Sequence, residues 1–474
     1  MRGPGLPSTE RGRRLIETLP ELYRGGRPAD PDTLFLSTPD GTRLTYGGLD
    51  ARTAQLAHAL HVRVGDRVAV QLEKSVDALL VMLAVVRAGA VLLPMNTAYT
   101  PEDVSFLVRD AEPSVVVDAA RLVELVALAD AMPSTFDEPD VGPDDLAALL
   151  YTSGTTGQPK GAMLTQRNLA TNADVLREWW GFTADDVLLH ALPIFHTHGL
   201  WVAVNCVLAT GASMAFLPRF DVDAVLAALP SCTVMMGVPT YYTRLLDEPR
   251  FDGGGLRLFI SGSAPMLAST HEAFRARTGQ VILERYGMTE TGMITSNPLH
   301  GERRPGSVGF PLPGTEVRIA ADGVVEVRGP NVFVGYWGRP ELAETELTAD
   351  GWFRTGDLGR FDDDGYLHLV GRAKDLVITG GLNVYPVEVE GVIDAIDGVR
   401  ESAVIGVPDD DLGEAVVAVV VAEPGIALDA ESVRAAARDR LAGFKAPKRV
   451  ELVDALPRNA MGKVEKARLR ERFS

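Results

Sequence analysis

The sequence predicts an α/β fold: a large N-terminal domain of α/β sheets with a small β-rich lobe, then a small, mobile α+β C-terminal domain. Three observations predict it. Apolar strand-like runs alternate with helical ones through the first two thirds of the chain, as in sheets covered by helices. After about residue 305 the texture changes to short β-like pieces separated by Gly and Pro. Beyond a polar connector at residues 371–374 a compact α+β pattern follows. At 474 residues the chain exceeds what one hydrophobic core serves. The boundary is therefore placed between residues 373 and 374.

The elements follow in order. Val68, Ala69 and Val70 read as a strand before a helical stretch at residues 75–88. The most apolar run, residues 78–93, is too short to span a bilayer and contains Arg87. It reads as a buried helix ending at Gly89, then a strand through Val91, Leu92 and Leu93. Val115, Val116 and Val117 close another unit, and Leu149, Leu150 and Tyr151 lead into a glycine-rich loop. Residues 233–237 precede Pro239, which suits a first helical turn. Leu258, Phe259 and Ile260 lead into Ser261, Gly262 and Ser263. Residues 317–319 and 324–327 supply the β-rich lobe. Residues 403–407 and 415–421 read as C-terminal strands, and 429–441 as a helix. The acidic runs at 362–364 and 409–411 read as solvated turns.

Composition narrows the function. The net charge is −18, from 46 basic and 64 acidic residues, which argues against nucleic acid or an anionic membrane as partner. The two cysteines, Cys206 and Cys232, make no disulfide framework and stand in no metal-ligand spacing. They read as core filler in a reduced, cytoplasmic protein. The first twenty residues carry arginines but no apolar signal-peptide core.

The segment most informative about chemistry is YTSGTTGQPKG, residues 151–161. Gly154, Gly157 and Gly161 permit close backbone approach, and consecutive N–H groups in such a loop form an anion nest. Thr152, Ser153, Thr155 and Thr156 add hydroxyls; Lys160 adds a point charge. A polyphosphate suits this loop. It is not a Walker loop, because Pro159 precedes the lysine and Gly161 follows it.

The string resembles the phosphate loop of the adenylate-forming superfamily, which includes acyl-CoA synthetases, peptide-synthetase adenylation domains and luciferases. Further segments match that superfamily in order. Glu284, Arg285, Tyr286, Gly287, Met288, Thr289 and Glu290 resemble its YGxTE motif. The resemblance implies ATP contacts along this segment, with Tyr286 near adenine, Thr289 on phosphate and Glu290 on Mg²⁺. One carboxylate suffices when phosphates and water complete the Mg²⁺ shell. Asp357 and Arg372 match the ribose-binding positions, and Lys374 the hinge. Lys463, after Gly462, matches the catalytic lysine, although Met461 stands where Ser is common. In that family the lysine can be silenced by acetylation, which implies a lysine acetyltransferase and deacetylase as partners. Gly380, Gly381 and Leu382 resemble the loop along the CoA path. Lys445, Lys448 and Arg449 could meet CoA phosphates or form a solvated cluster.

The family activates a carboxylate with ATP, releases pyrophosphate, and passes the acyl group to a thiol after its small domain rotates. The acyl site is expected between residues 194–199 and 237–244. Arg244 offers a planar cationic fork suited to a second carboxylate. With IFHTHG, SGSAP and ERYGMTE, the pattern resembles malonyl-CoA synthetases. That resemblance implies Arg244 on the distal carboxylate, with Thr197 and Met288 beside the α-carbon. His196, Ser261 and Ser263 join the acyl pocket, and His196 is also placed near the acyl phosphate. His196 and His198 could suggest a metal pair, but no third ligand stands out. The implied reaction converts malonate, ATP and CoA to malonyl-CoA, AMP and pyrophosphate, with methylmalonate a second substrate. Alternatives are a CoA ligase for another short acid, a module loading a carrier protein, and a nucleotide-binding regulator without turnover.

Overall fold

The computed structural model describes residues 15–153, 159–459 and 463–474. Four sheets organise the described residues. The first has five strands, in the order Val115–Val117, Arg67–Val70, Val91–Pro94, Leu146–Ser153 and Pro159–Thr165. Its strands run parallel except for the last, which returns antiparallel along Leu146–Ser153. The two described ends of the phosphate-loop motif are thus antiparallel strands, with Ser153 facing Pro159 in register. Gly154, Thr155, Thr156, Gly157 and the Ser153 side chain lie outside the described residues.

The second sheet has nine strands. Its central strands, Leu283–Met288, Leu258–Ser261, Val234–Gly237, Val187–His190 and Ser213–Phe216, lie side by side and parallel. Parallel strands covered on both sides by helices are apolar throughout, and Leu258–Ser261 and Val234–Gly237 are buried along their whole length. Three strand ends therefore open on one edge: Gly237 into Pro239–Leu246, Ser261 into Gly262, and His190 into the segment carrying His196 and His198. Chain segments beyond the carboxyl ends of parallel strands are where α/β sheets bind ligands.

The helix Val76–Arg87 forms where expected, capped by Ser75, whose hydroxyl accepts from Ala78 N at 3.1 Å. Pro239 opens its helix, as its fixed φ favours. The β-rich lobe is an antiparallel sheet of Glu316–Ile319, Val324–Arg328, Phe353–Phe361 and Leu367–Arg372. One expectation is corrected. Gly371 and Arg372 are not connector but the end of a strand, with Arg372 facing Asp357 in register. The connector begins at Ala373, as a short 3₁₀ turn to Asp375. The fourth sheet starts at Val377 and is centred on the long pair Val399–Asp409 and Gly413–Ala422. The helix Ala430–Arg440 is capped by Asp429, which accepts from Ser432 N at 2.8 Å. Cys206 and Cys232 are buried and unbridged.

Candidate active site

The residues expected at the nucleotide come from several strands. Glu290, beyond the strand Leu283–Met288, is buried and accepts hydrogen bonds from Thr152 Oγ1 at 3.2 Å and Tyr336 Oη at 3.1 Å. Burial raises its pKa, so its carboxylate favours a cation. Lys160, 7% exposed, pairs with Glu346 at 3.1 Å and lies over the Tyr336 ring. Asp357 accepts from Tyr286 Oη at 2.6 Å, and Arg372 Nε pairs with its other oxygen at 2.8 Å. Cross-strand register explains this pair, because Asp357 and Arg372 sit directly opposite one another on adjacent strands. Burial works against the Arg372 charge, but Asp357, Tyr286 and Glu290 outweigh it and its pKa rises. Tyr286, Asp357 and Arg372 therefore form one connected unit, with Tyr286 8% exposed. The Glu284 carboxylate is held elsewhere, by His271 Nε2 at 2.6 Å and Gly306 N at 3.3 Å.

Lys463 comes from the opposite end of the chain. Its backbone is fixed by Asn459, whose N donates to Lys463 O and whose Oδ1 accepts from Lys463 N. The side chain keeps contact with solvent. Desolvation of its ammonium, then the Arg372 charge, lowers its pKa to about 8; Asp357 and Glu290 pull the other way. These influences place the lysine among Arg372, Asp357, Glu290 and Arg285. Arg400 and Asp247, on the two sides of the connector, approach to 3.5 Å. Arg458 pairs with Glu401 on the strand Val399–Asp409, and Lys466 with Glu390 on the helix Pro386–Ile393 at 2.6 Å, holding the chain on either side of Lys463.

The acyl end contains the main departure from expectation. Arg244 lies in the last turn of Pro239–Leu246, is exposed, and makes no ion pair among the described residues. The helix buries Tyr242 and Leu245 instead. The buried cationic fork is Arg285. It is 3% exposed, and its Nε and Nη2 find no partner among the described residues. A Cβ on Gly262 would lie 2.4 Å from Arg285 Nη1, so only glycine leaves room for the guanidinium. Burial pushes its pKa down to about 9. The linear motif assigns Arg285 to the nucleotide, and its burial against Gly262 is a property of the fold that the motif does not show. The missed signal was the Gly between Ser261 and Ser263, where bulk would collide with it.

Ser261 Oγ, next to Gly262, and His198 Nε2, whose ring feels the Arg285 charge, also lack described partners, as does Thr197 Oγ1, beside His198 in sequence. Buried polar groups are normally hydrogen-bonded, so this concentration marks a place for a polar ligand. Ser263 Oγ lies 3.4 Å from His198 Nδ1, and Ser263 has φ +72°, a conformation that strains a non-glycine residue. His196 Nδ1 accepts from His198 N at 3.2 Å. Burial, then the charges of Lys463 and Arg285, lowers the His196 pKa to about 3, so the imidazole is neutral. No group of three metal-ligating side chains occurs among the described residues. Met288 and Thr289 are half-buried.

Comparison with known proteins gives the family. Residues 27–337 match the model of AMP-binding enzymes, and residues 388–463 that of their C-terminal domain. The chain belongs to the AMP-binding enzyme family. The feruloyl-CoA synthase of an Amycolatopsis species is 39% identical over 466 residues, covering 91% of this chain and 94% of that protein. The mitochondrial malonate–CoA ligase of Mus musculus is 34% identical over 547 residues, covering 98% and 94%. The crystal structure of ATP-bound MatB from Rhodopseudomonas palustris superposes with TM-score 0.92 at 49% identity, covering 97% of this chain and 99% of that one.

The remaining expected contacts fall on the later sheet. Gly380 and Gly381 form the two-residue turn of an exposed hairpin, with φ +56° and +77°, and Leu382 is exposed beside them. Lys374 is exposed in the 3₁₀ turn. Lys445 pairs with Glu388 at 2.6 Å and Arg449 with Glu451 at 3.0 Å, which favours the solvated cluster over CoA phosphates. No described helix is long and apolar enough to cross a membrane.

Proposed function

We propose that this protein is an AMP-forming malonate–CoA ligase. The observation that carries the reading is Arg285, a buried guanidinium without an anionic partner among the described residues, beside orphaned Ser261 and His198 atoms. A monocarboxylate joined to the nucleotide leaves such a charge uncompensated; a short diacid supplies the missing anion.

The chemistry follows from the assembled residues. Asp357, fixed by Tyr286 and Arg372, accepts the ribose hydroxyls. Lys160 and the hydroxyl-rich loop hold the phosphates. Glu290 would hold Mg²⁺, and its burial and raised pKa fit that role; the ion would neutralise charge on the leaving pyrophosphate. Lys463 stabilises negative charge at the α-phosphorus as a malonate oxygen attacks it and the bond to pyrophosphate breaks. His196, kept neutral, lines this region without adding charge. Lys374 serves as the hinge between residues 1–373 and 374–474. After rotation, the CoA sulfur attacks the acyl carbonyl near Gly380, Gly381 and Leu382, and AMP leaves.

The relatives include ligases of aromatic acids as well as of malonate. The pocket's buried positive charge supports the diacid. A panel of malonate, methylmalonate, acetate and ferulate, assayed for AMP release with CoA, tests this. Malonate is expected to lead; preference for acetate or ferulate would defeat the assignment while leaving the ligase chemistry intact.

A further inference from the structure

Lys74 is a half-buried lysine that the chemistry above does not use. It lies between the strand Arg67–Val70 and the helix Val76–Arg87, in the layer of the five-stranded sheet. Its ammonium reaches across to the nine-stranded sheet. There Nζ lies 2.8 Å from His190 Nδ1, 2.9 Å from His190 O and 4.3 Å from the Phe216 ring centroid. It makes no ion pair among the described residues. Desolvation of that nitrogen lowers the Lys74 pKa, and an amine taken from water with no carboxylate beside it is costly, so packing alone does not account for lysine here.

His190 ends the strand Val187–His190 and is 1% exposed. Its Nε2 lies 2.9 Å from Gly199 O. A carbonyl only accepts, so Nε2 must carry the proton. Burial and the Lys74 charge keep the ring neutral, and its pKa falls to about 3. Nδ1 is therefore the bare nitrogen, and Lys74 must be its donor. The His190 carbonyl already accepts from Leu217 N at 3.0 Å, and Lys74 takes its remaining lone pair. Between His190 and Gly199 the chain turns back sharply, since a Cβ on Gly199 would lie 2.0 Å from Pro193 O. Lys74 thus secures the start of the loop, and through the imidazole it secures the end. That loop carries His196, Thr197 and His198.

We propose that Lys74 is a positioning residue for acid activation, acting through the imidazole of His190 to close the loop that presents His196, Thr197 and His198. The inference rests on the reading of that loop as part of the acyl-adenylate site. The test uses full-length enzyme with Lys74→Met, His190→Leu and the double variant. Two steps are followed: malonate-dependent pyrophosphate release, and thioester formation from supplied malonyl-adenylate. Lys74→Met is expected to lower kcat for pyrophosphate release tenfold or more, keep KM for ATP within twofold, and spare thioester formation. The double variant is expected to be no slower than the slower single one, because both break one chain of hydrogen bonds. Retention of kcat within twofold, equal loss in both steps, or losses that multiply in the double variant would each overturn the proposal. Lys74→Gln carries the same comparison if the methionine variant does not fold. If the wild type activates a different acid, the comparison is run with that acid, so failure of the malonate reading is seen separately.

Discussion

Replacing Arg285 by methionine separates the cost of a buried charge from its use. Burial holds the Arg285 pKa near 9, against an ordinary 12.5. That difference corresponds to a charging cost on the order of 5 kcal/mol. At pH 7 both folded and unfolded chains carry the proton, so the cost is present in full. Stability gains from this group only as pH rises from about 9 towards 12.5, where the unfolded chain binds more protons. Methionine removes the cost and fills similar volume, so the variant without substrate is expected to be as stable as the wild type or more so, by about 1–4 kcal/mol. Malonate then meets no countercharge. Leaving a buried carboxylate unpaired costs about 3–5 kcal/mol, and each 1.4 kcal/mol is about tenfold. Malonate kcat/KM should fall roughly 10²- to 10³-fold, while acetate, with no second carboxylate, should change about threefold or less. The assay is acid-dependent pyrophosphate release with each acid, beside thermal unfolding with and without malonate. Malonate should stabilise the wild type and not the variant. Equal losses for both acids, or a markedly less stable variant, would refute the reasoning.

Arg244→Ala should cost malonate use far less, only a few-fold, because an exposed pair contributes about 0.2–1 kcal/mol; a hundredfold loss in kcat/KM would show that the helix end closes over substrate. Lys463→Ala should reduce pyrophosphate release about a hundredfold or more and spare thioester formation from malonyl-adenylate, as loss of a transition-state charge partner does. Because the Lys463 ammonium is the active form and its pKa is lowered to about 8, adenylation should decline as pH rises through 8; a rate unchanged to pH 9.5 would remove the lysine from that role. Tyr286→Phe deletes one hydrogen bond to Asp357. It should raise KM for ATP about three- to tenfold, from a loss of about 0.5–1.5 kcal/mol, with malonate KM unchanged; the reverse pattern would place Tyr286 at the acyl end.

Strand–helix alternation, the lobe after residue 305 and the α+β end were legible because hydrophobic period and Gly/Pro punctuation are local properties. So were the helix near residues 429–441, the first-turn Pro239 and the linear motifs around Lys160, Glu290 and Asp357. The error at residues 371–372 has a simple cause: a polar strand end and a polar connector look alike until a partner strand is present. Asp357 and Arg372 became a pair only through their register.

Burial decided the rest. Two arginines, Arg244 and Arg285, are equally charged and equally forked in one dimension. Which is dry depends on strand order, on Gly262 leaving room for the guanidinium, and on which helix face packs inward. The Lys74–His190–Gly199 chain joins residues 116 and nine positions apart, across two sheets. Residue types along the chain determined that a carboxylate-activating site exists. The convergence of strand ends from distant segments determined which charges lose their water, because desolvation belongs to a place in the folded molecule and not to a residue type.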